Sequence, residues 1–333
     1  MQRNQTLDAL KGICIIFVVI THFHWTNDMR LRLGFPFIID MAVPVFMLIS
    51  GYVYAASYER NNISTVMQGW GIKRLTKSFL RYTIPYLACF GVEVILSCIK
   101  NGIVHAGGAN VGVKSILLAL ITGGWGPGSY YYPILLQLLL VYPLLWWIVR
   151  RWKFYGLLMI FALNFGFEWL KLILAMPVGI YRLLVFRYIL LLGAGTYFYL
   201  YRKSGNKLIE SIIWVLGVVF IVYTQYLNQI IWPVTFWVGT SFVAVLYIIP
   251  MYKWFISREY KWWCPLLNIG KASYNIFLFQ MLFYAFFADS IYKLISYSMI
   301  DLCLCLAICL YGGWIFYCYE SKWTKNIIKK LSI

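Results

Sequence analysis

The segment LLQLLLVYPLLWWIV, running from Leu135 to Val149, carries one amide side chain, Gln137, in an otherwise apolar run. A barrel strand with a wet interior needs a polar residue at every second position. This segment lacks that alternation and reads as a helix whose backbone groups bond internally within lipid. Arg150, Arg151 and Lys153 close it on one side and Tyr130, Tyr131 and Tyr132 on the other.

The rest of the chain repeats this pattern. Of 333 residues, 62% are hydrophobic and 12% charged, against about half and about a quarter in soluble domains. The apolar residues come in runs of about twenty, the length that crosses a hydrocarbon layer of roughly 30 Å. The expected spans are 9–26, 35–57, 79–99, 130–149, 154–175, 183–201, 208–227, 232–252, 272–294 and 299–319. The fold class is therefore all-α: a polytopic integral membrane protein of about ten transmembrane helices, with residues 1–333 as one domain.

The formal net charge of +18 does not point to nucleic acid, because the basic residues lie in small clusters between apolar spans instead of one stripe. With these spans, 20 of the 29 Lys and Arg residues fall on the side of the N-terminus and eight on the other, with Lys11 inside the first span. That bias places both termini in the cytoplasm, as expected of a multi-pass protein of a bacterial inner membrane. The first apolar run is followed by the bulky Thr21-His22-Phe23-His24-Trp25 rather than small residues, so it reads as a retained helix and not as a cleaved signal.

Eight cysteines show no paired zinc spacing. Cys14, Cys89, Cys303, Cys305 and Cys309 sit within spans as small reduced hydrophobes, and no metal site is expected. The one long loop on the far side, roughly 100–129, holds a short apolar stretch, Ile116 to Ile121, ended by Gly123-Gly124-Trp125-Gly126-Pro127-Gly128. It is too short to cross, and suits a segment that re-enters the membrane or caps a cavity.

The only imidazoles are His22, His24 and His105. His22 lies near the outer end of the first span, and Lys11 eleven residues before it. Eleven helical steps bring two side chains back to within about 20° on one stripe, separated by roughly 16 Å along the axis. An ionisable group inside a span costs at least a few kcal/mol, so both belong on the bundle interior or a polar cavity. The plainer reading has Lys11 reaching the cytoplasmic interface or pairing with Asp8, and His22 merely interfacial.

Further motifs join this pair. Leu7-Asp8-Ala9-Leu10-Lys11-Gly12 through Ile20-Thr21-His22 is followed by Val43-Pro44-Val45-Phe46-Met47-Leu48-Ile49-Ser50-Gly51-Tyr52. Then come Lys73-Arg74 with Arg81 and Pro85, the span Tyr131 to Pro143, and Gly270-Lys271-Ala272-Ser273-Tyr274-Asn275-Ile276-Phe277-Leu278. In order and spacing this set resembles the acyltransferase-3 family of membrane proteins, which move acetyl or related acyl groups onto cell-surface glycans and other acceptors. The resemblance runs from residue 7 to about 280. The family often has a histidine after the last motif, where this chain has Gln280, which cannot titrate near neutral pH. Lys11 stands where many members have arginine and keeps the charge without the bidentate geometry.

The resemblance implies an O-acyltransferase, in the first instance an O-acetyltransferase. Its donor would be a cytoplasmic thioester, acetyl-CoA or a similar acyl-CoA, and its acceptor a hydroxyl of a surface glycan or lipid-linked sugar, with no bound cofactor. Such transfer needs a base for the hydroxyl proton and a donor or cation to steady the oxyanion. His22 is the expected base. Lys11 is expected to bind the donor's phosphates or orient the site, with Arg74 a candidate for substrate binding.

Other polar and aromatic residues carry two readings each. Ser50 is either a site hydroxyl or bonded to its own helix. Arg187 is either a substrate contact or a structural partner, since the embedded Glu93 and Glu168 are each expected to pair with Arg81, Arg182 or Arg187. Gly193 and Gly195 suit close helix packing more than phosphate binding. Trp25, Tyr131 and their aromatic neighbours suit sugar stacking, and an interfacial belt explains them equally. The competing function is a glycan or lipid-intermediate translocase without covalent chemistry, though the chain shows no matching halves.

Overall fold

The computed structural model describes residues 5–103, 112–201, 207–227, 247–248, 263–294 and 298–331. Among these residues the chain is helical and contains no strand. In order come α1 (Gln5–Thr21), α2 (Asn27–Arg32), α3 (Ala42–Arg60), α4 (Val66–Gly69), α5 (Ile72–Ile103), α6 (Val113–Thr122) and α7 (Tyr131–Ile173). They are followed by α8 (Val178–Leu183), α9 (Ile189–Tyr201), α10 (Lys207–Val222), α11 (Cys264–Lys271), α12 (Ser273–Phe286), α13 (Ala288–Leu294) and α14 (Ser298–Lys330). Five stretches are long and apolar enough to cross a bilayer: Phe35–Arg60, Ile72–Ile99, Tyr131–Ile173, Lys207–Leu227 and Met299–Lys330. The outward faces of these helices, with Ile95, Leu140, Leu163 and Val219 among their exposed residues, are a surface matched to lipid. His105 and all but residues 247–248 of the expected span 232–252 lie outside the described residues.

Helix α7 is two helices. Lys153 has φ 52° and ψ −121°, far from helical values. Gln137 and Glu168 would stand about 46 Å apart along one straight helix. Yet the Gln137 amide nitrogen donates to the Leu183 carbonyl at 2.7 Å, and Glu168 accepts from the Tyr181 hydroxyl at 2.7 Å. Both contacts fall on one short segment, so the chain doubles back at Lys153, as the separate spans 130–149 and 154–175 require.

The span expected over 183–201 starts later, at Ile189. Gln137 accounts for the delay: its side chain takes the Leu183 carbonyl and also accepts from the Val185 N–H at 3.0 Å. Those backbone groups are then lost to a regular helix.

Small residues draw the core helices together. A side chain on Gly51 would strike the Leu192 carbonyl, and one on Gly195 the Leu48 carbonyl and the Tyr52 amide. The backbones of α3 and α9 thus touch, the close approach that glycines at a membrane interface allow. The expectation of a packing role for the glycines of α9 holds here. Tyr142 locks the pair by donating to the Gly51 carbonyl at 3.0 Å while lying 2.9 Å from the Thr196 hydroxyl.

Loops expected on one side gather at one end. Arg150 donates to the Ile63 carbonyl at 2.9 Å and lies 3.6 Å from Glu59. Arg74 stacks over Tyr58 at 4.0 Å and donates to the Ser57 hydroxyl. At the opposite end the Tyr226 hydroxyl donates to the Leu31 carbonyl, and His24 lies 3.5 Å from Asp289.

Candidate active site around His22

The first helix is placed by two glycines. Gly12 lies against the Leu266 carbonyl and Gly270 against the Asp8 carbonyl, so α1 and α11 meet backbone to backbone. The segment after Gly270 is tied down on two further sides. The Tyr274 hydroxyl donates to the Tyr82 carbonyl at 2.9 Å, and the Asn275 amide donates to buried Glu320 at 2.8 Å. Glu320 also accepts from the Thr324 hydroxyl. The two motifs at opposite ends of the sequence are therefore one packed unit.

Along α1, Ile15 and Val18 lie between Lys11 and His22 on the same stripe and are 1% and 4% exposed. The stripe faces protein. Lys11 is half-buried, 4.0 Å from the Asp8 carboxylate. The helix ends at Thr21, and its terminal Ile20 carbonyl accepts from both the Phe23 N–H at 3.2 Å and the Trp25 indole N–H at 2.7 Å.

His22 follows directly and is half-buried. The turn at Gly128 covers its ring: a Cβ there would stand 3.3 Å from His22 Nε2 and 3.1 Å from the Phe277 ring. Gly128 also has φ 87°, a conformation that side chains other than glycine's disfavour. On another side the Tyr284 ring meets the imidazole edge-on at 6.3 Å, and its hydroxyl donates to the Val19 carbonyl at 3.0 Å. That bond pins α12 onto the last turn of α1. The Arg30 guanidinium, paired with Asp40 at 2.6 Å, is near enough to act electrostatically on His22.

The glycine-rich loop of residues 123–129 is held from two helices. Glu93 of α5 accepts from the Trp125 N–H at 3.3 Å, and Phe90 stacks on the Trp125 ring. Gln280 of α12 donates to the Pro127 carbonyl at 3.3 Å, and Gly126 sits against the Met281 carbonyl. The expected pairing of Glu93 with arginine is thereby corrected. Among the described residues none of Arg81, Arg182 and Arg187 lies in ion-pair range of it, because the loop amide already occupies the carboxylate. An apolar run ended by four glycines and a proline was the signal for this cap; its landing points were not visible in the chain order.

The remaining candidates divide. Tyr131 comes close, its ring 4.9 Å from Phe277, which itself touches Gly128. Arg187 reaches the same end through Tyr130, lying over the Tyr130, Tyr181 and Tyr188 rings at 5.9, 5.0 and 4.7 Å. Glu168 acts on it electrostatically, in line with the expected pairing. The Ser50 hydroxyl donates to the Phe46 carbonyl of its own helix at 2.8 Å. Arg74 belongs to the opposite end, with Ser57 and Tyr58. The Trp25 ring packs on Phe23 and Phe35. Gly128 and Phe277 lay inside the glycine-rich loop and the Gly270–Leu278 motif without being singled out, and Tyr284, which meets the His22 ring, carried no signal in the sequence.

A half-buried imidazole at a helix end, covered by a backbone turn and met edge-on by the Tyr284 ring, can accept a proton from a hydroxyl held beside it. No curated protein and no solved structure matches the chain. A family model, that of the acyltransferase domain, matches residues 4–318, nearly the whole chain; the protein belongs to acyltransferase family 3 and is a membrane acyltransferase enzyme.

Proposed function

We propose that the protein is an O-acyltransferase, with acetyl the expected group, that acts on a hydroxyl of a surface glycan or lipid-linked sugar. The donor is a cytoplasmic thioester, acetyl-CoA or a similar acyl-CoA. The chain crosses a bacterial inner membrane about ten times with both termini in the cytoplasm, a topology supported by the Lys and Arg bias between alternate loops.

In this reading an unprotonated nitrogen of His22 takes the acceptor's hydroxyl proton as the oxygen attacks the thioester carbonyl. The tetrahedral intermediate collapses by breaking the carbon–sulfur bond, and the proton passes from the imidazolium to the departing thiolate. Lys11, roughly 16 Å down the same helix, supplies positive charge for the donor's phosphates, with Arg74 at the end of the bundle where α5 begins. Tyr131 and Trp25 offer aromatic faces to a sugar, and Ser50 and Arg187 offer polar contacts.

The observation that carries the proposal is the setting of His22, on a protein-facing stripe and beneath the Gly128 turn. The test compares cells making wild-type protein and His22→Ala at equal membrane levels. Mass analysis of surface polysaccharide is expected to lose an ester substituent in the variant, with loss of thiol release from acetyl-CoA in isolated membranes. Persistence of both in His22→Ala rejects the role of His22, and a translocase would show no thiol release at all.

A further inference from the structure

The Gln280 side chain is completely buried, and its two halves are treated differently. The nitrogen donates to the Pro127 carbonyl, while the oxygen has no hydrogen-bond partner among the described residues. A buried amide with one half unsatisfied is costly, and an apolar side chain of equal volume would avoid the cost. The compensating interaction is the bond to Pro127, in the turn whose next residue, Gly128, covers His22 Nε2.

The same helix contributes further contacts on that wall. Phe277 lies one turn before Gln280 and touches Gly128, Met281 lies against Gly126, and Tyr284 lies one turn after and meets the His22 ring. Of these, only Gln280 makes a directional bond to the turn. We infer that Gln280 is a positioning residue: by holding the Pro127 carbonyl it fixes the Gly126–Gly128 turn over His22 and thereby sets the orientation and access of the imidazole. The inference rests on the proposed role of His22 for its catalytic consequence, but not for the geometry. A neutral amide does this without a second titrating group beside the base.

The test uses Gln280→Met, close in volume and unable to donate, and Gln280→His, whose ring nitrogen restores a donor at similar reach. Two readouts are taken on full-length protein in native membranes. One is the rate of N-carbethoxylation of His22 by diethylpyrocarbonate, resolved from His24 and His105 by the fragment masses of chymotryptic peptides. The other is thiol release from acetyl-CoA with endogenous acceptor, resolved into kcat and KM. Gln280→Met is expected to raise His22 carbethoxylation severalfold and to lower kcat about tenfold with KM for acetyl-CoA nearly unchanged, as a displaced reacting group does. Gln280→His is expected to restore both. An unchanged carbethoxylation rate in Gln280→Met overturns the inference whatever happens to activity. A raised rate, together with thiol release that survives His22→Ala, upholds the positioning and overturns His22 as the base.

Discussion

Gly128 faces the His22 ring so closely that a methyl group on its Cα would stand 3.3 Å from Nε2. The contact is set by conformation as well as by space, since φ at Gly128 is 87°. Alanine at such a backbone angle costs about 1–2 kcal/mol before any clash is counted. Gly128→Ala should therefore lower the unfolding temperature in detergent by a few degrees. Its larger effect should be on thiol release from acetyl-CoA, by tenfold or more, because the turn must lift away from the imidazole or press on it. Activity within twofold of wild type would show that the turn has no bearing on the reaction.

Glu93 is 2% exposed and accepts from the Trp125 N–H, so it anchors the far end of the same loop. Its role here is that of an acceptor, which an amide oxygen can fill. Glu93→Gln should keep the loop in place and stay near wild-type stability. Glu93→Leu removes the acceptor and strands a buried N–H, at a cost of about 1–3 kcal/mol. Thermal melting of purified protein distinguishes them: equal melting temperatures for the two variants would mean that the Trp125 bond contributes nothing.

The contrast between these residues shows what the chain order reveals. Properties set by local periodicity were legible: long apolar helices, the reversal near Lys153, and the packing role of Gly195. Each depends on residues within a few turns of one another. What escaped depends on distant partners. Gln280 and Pro127 are 153 positions apart, and Gln137 delays a helix by taking the carbonyl of Leu183, 46 positions away. Glu93 was expected to need a cation, because an embedded carboxylate usually does. A loop amide supplied the compensation instead, and no periodicity in α5 announces a bond to a residue 32 positions further on.

Lys11 tests the other half of the site. It is half-buried on the stripe that leads to His22, with the Asp8 carboxylate 4.0 Å away. A hydrogen bond from an ammonium to a phosphate is worth about 1.5–3 kcal/mol, and each 1.4 kcal/mol is about a factor of ten in affinity. If Lys11 meets the donor's phosphates, Lys11→Gln should raise KM for acetyl-CoA roughly tenfold to a hundredfold while kcat changes little. Lys11→Arg should keep most of the affinity, since the charge remains. If Lys11 serves only to neutralise Asp8, the pattern differs: Lys11→Gln then lowers the melting temperature and leaves KM where it was, and a double variant with Asp8→Asn recovers the stability. Steady-state kinetics on the single variants, with melting of the double variant, separates a donor contact from a structural ion pair.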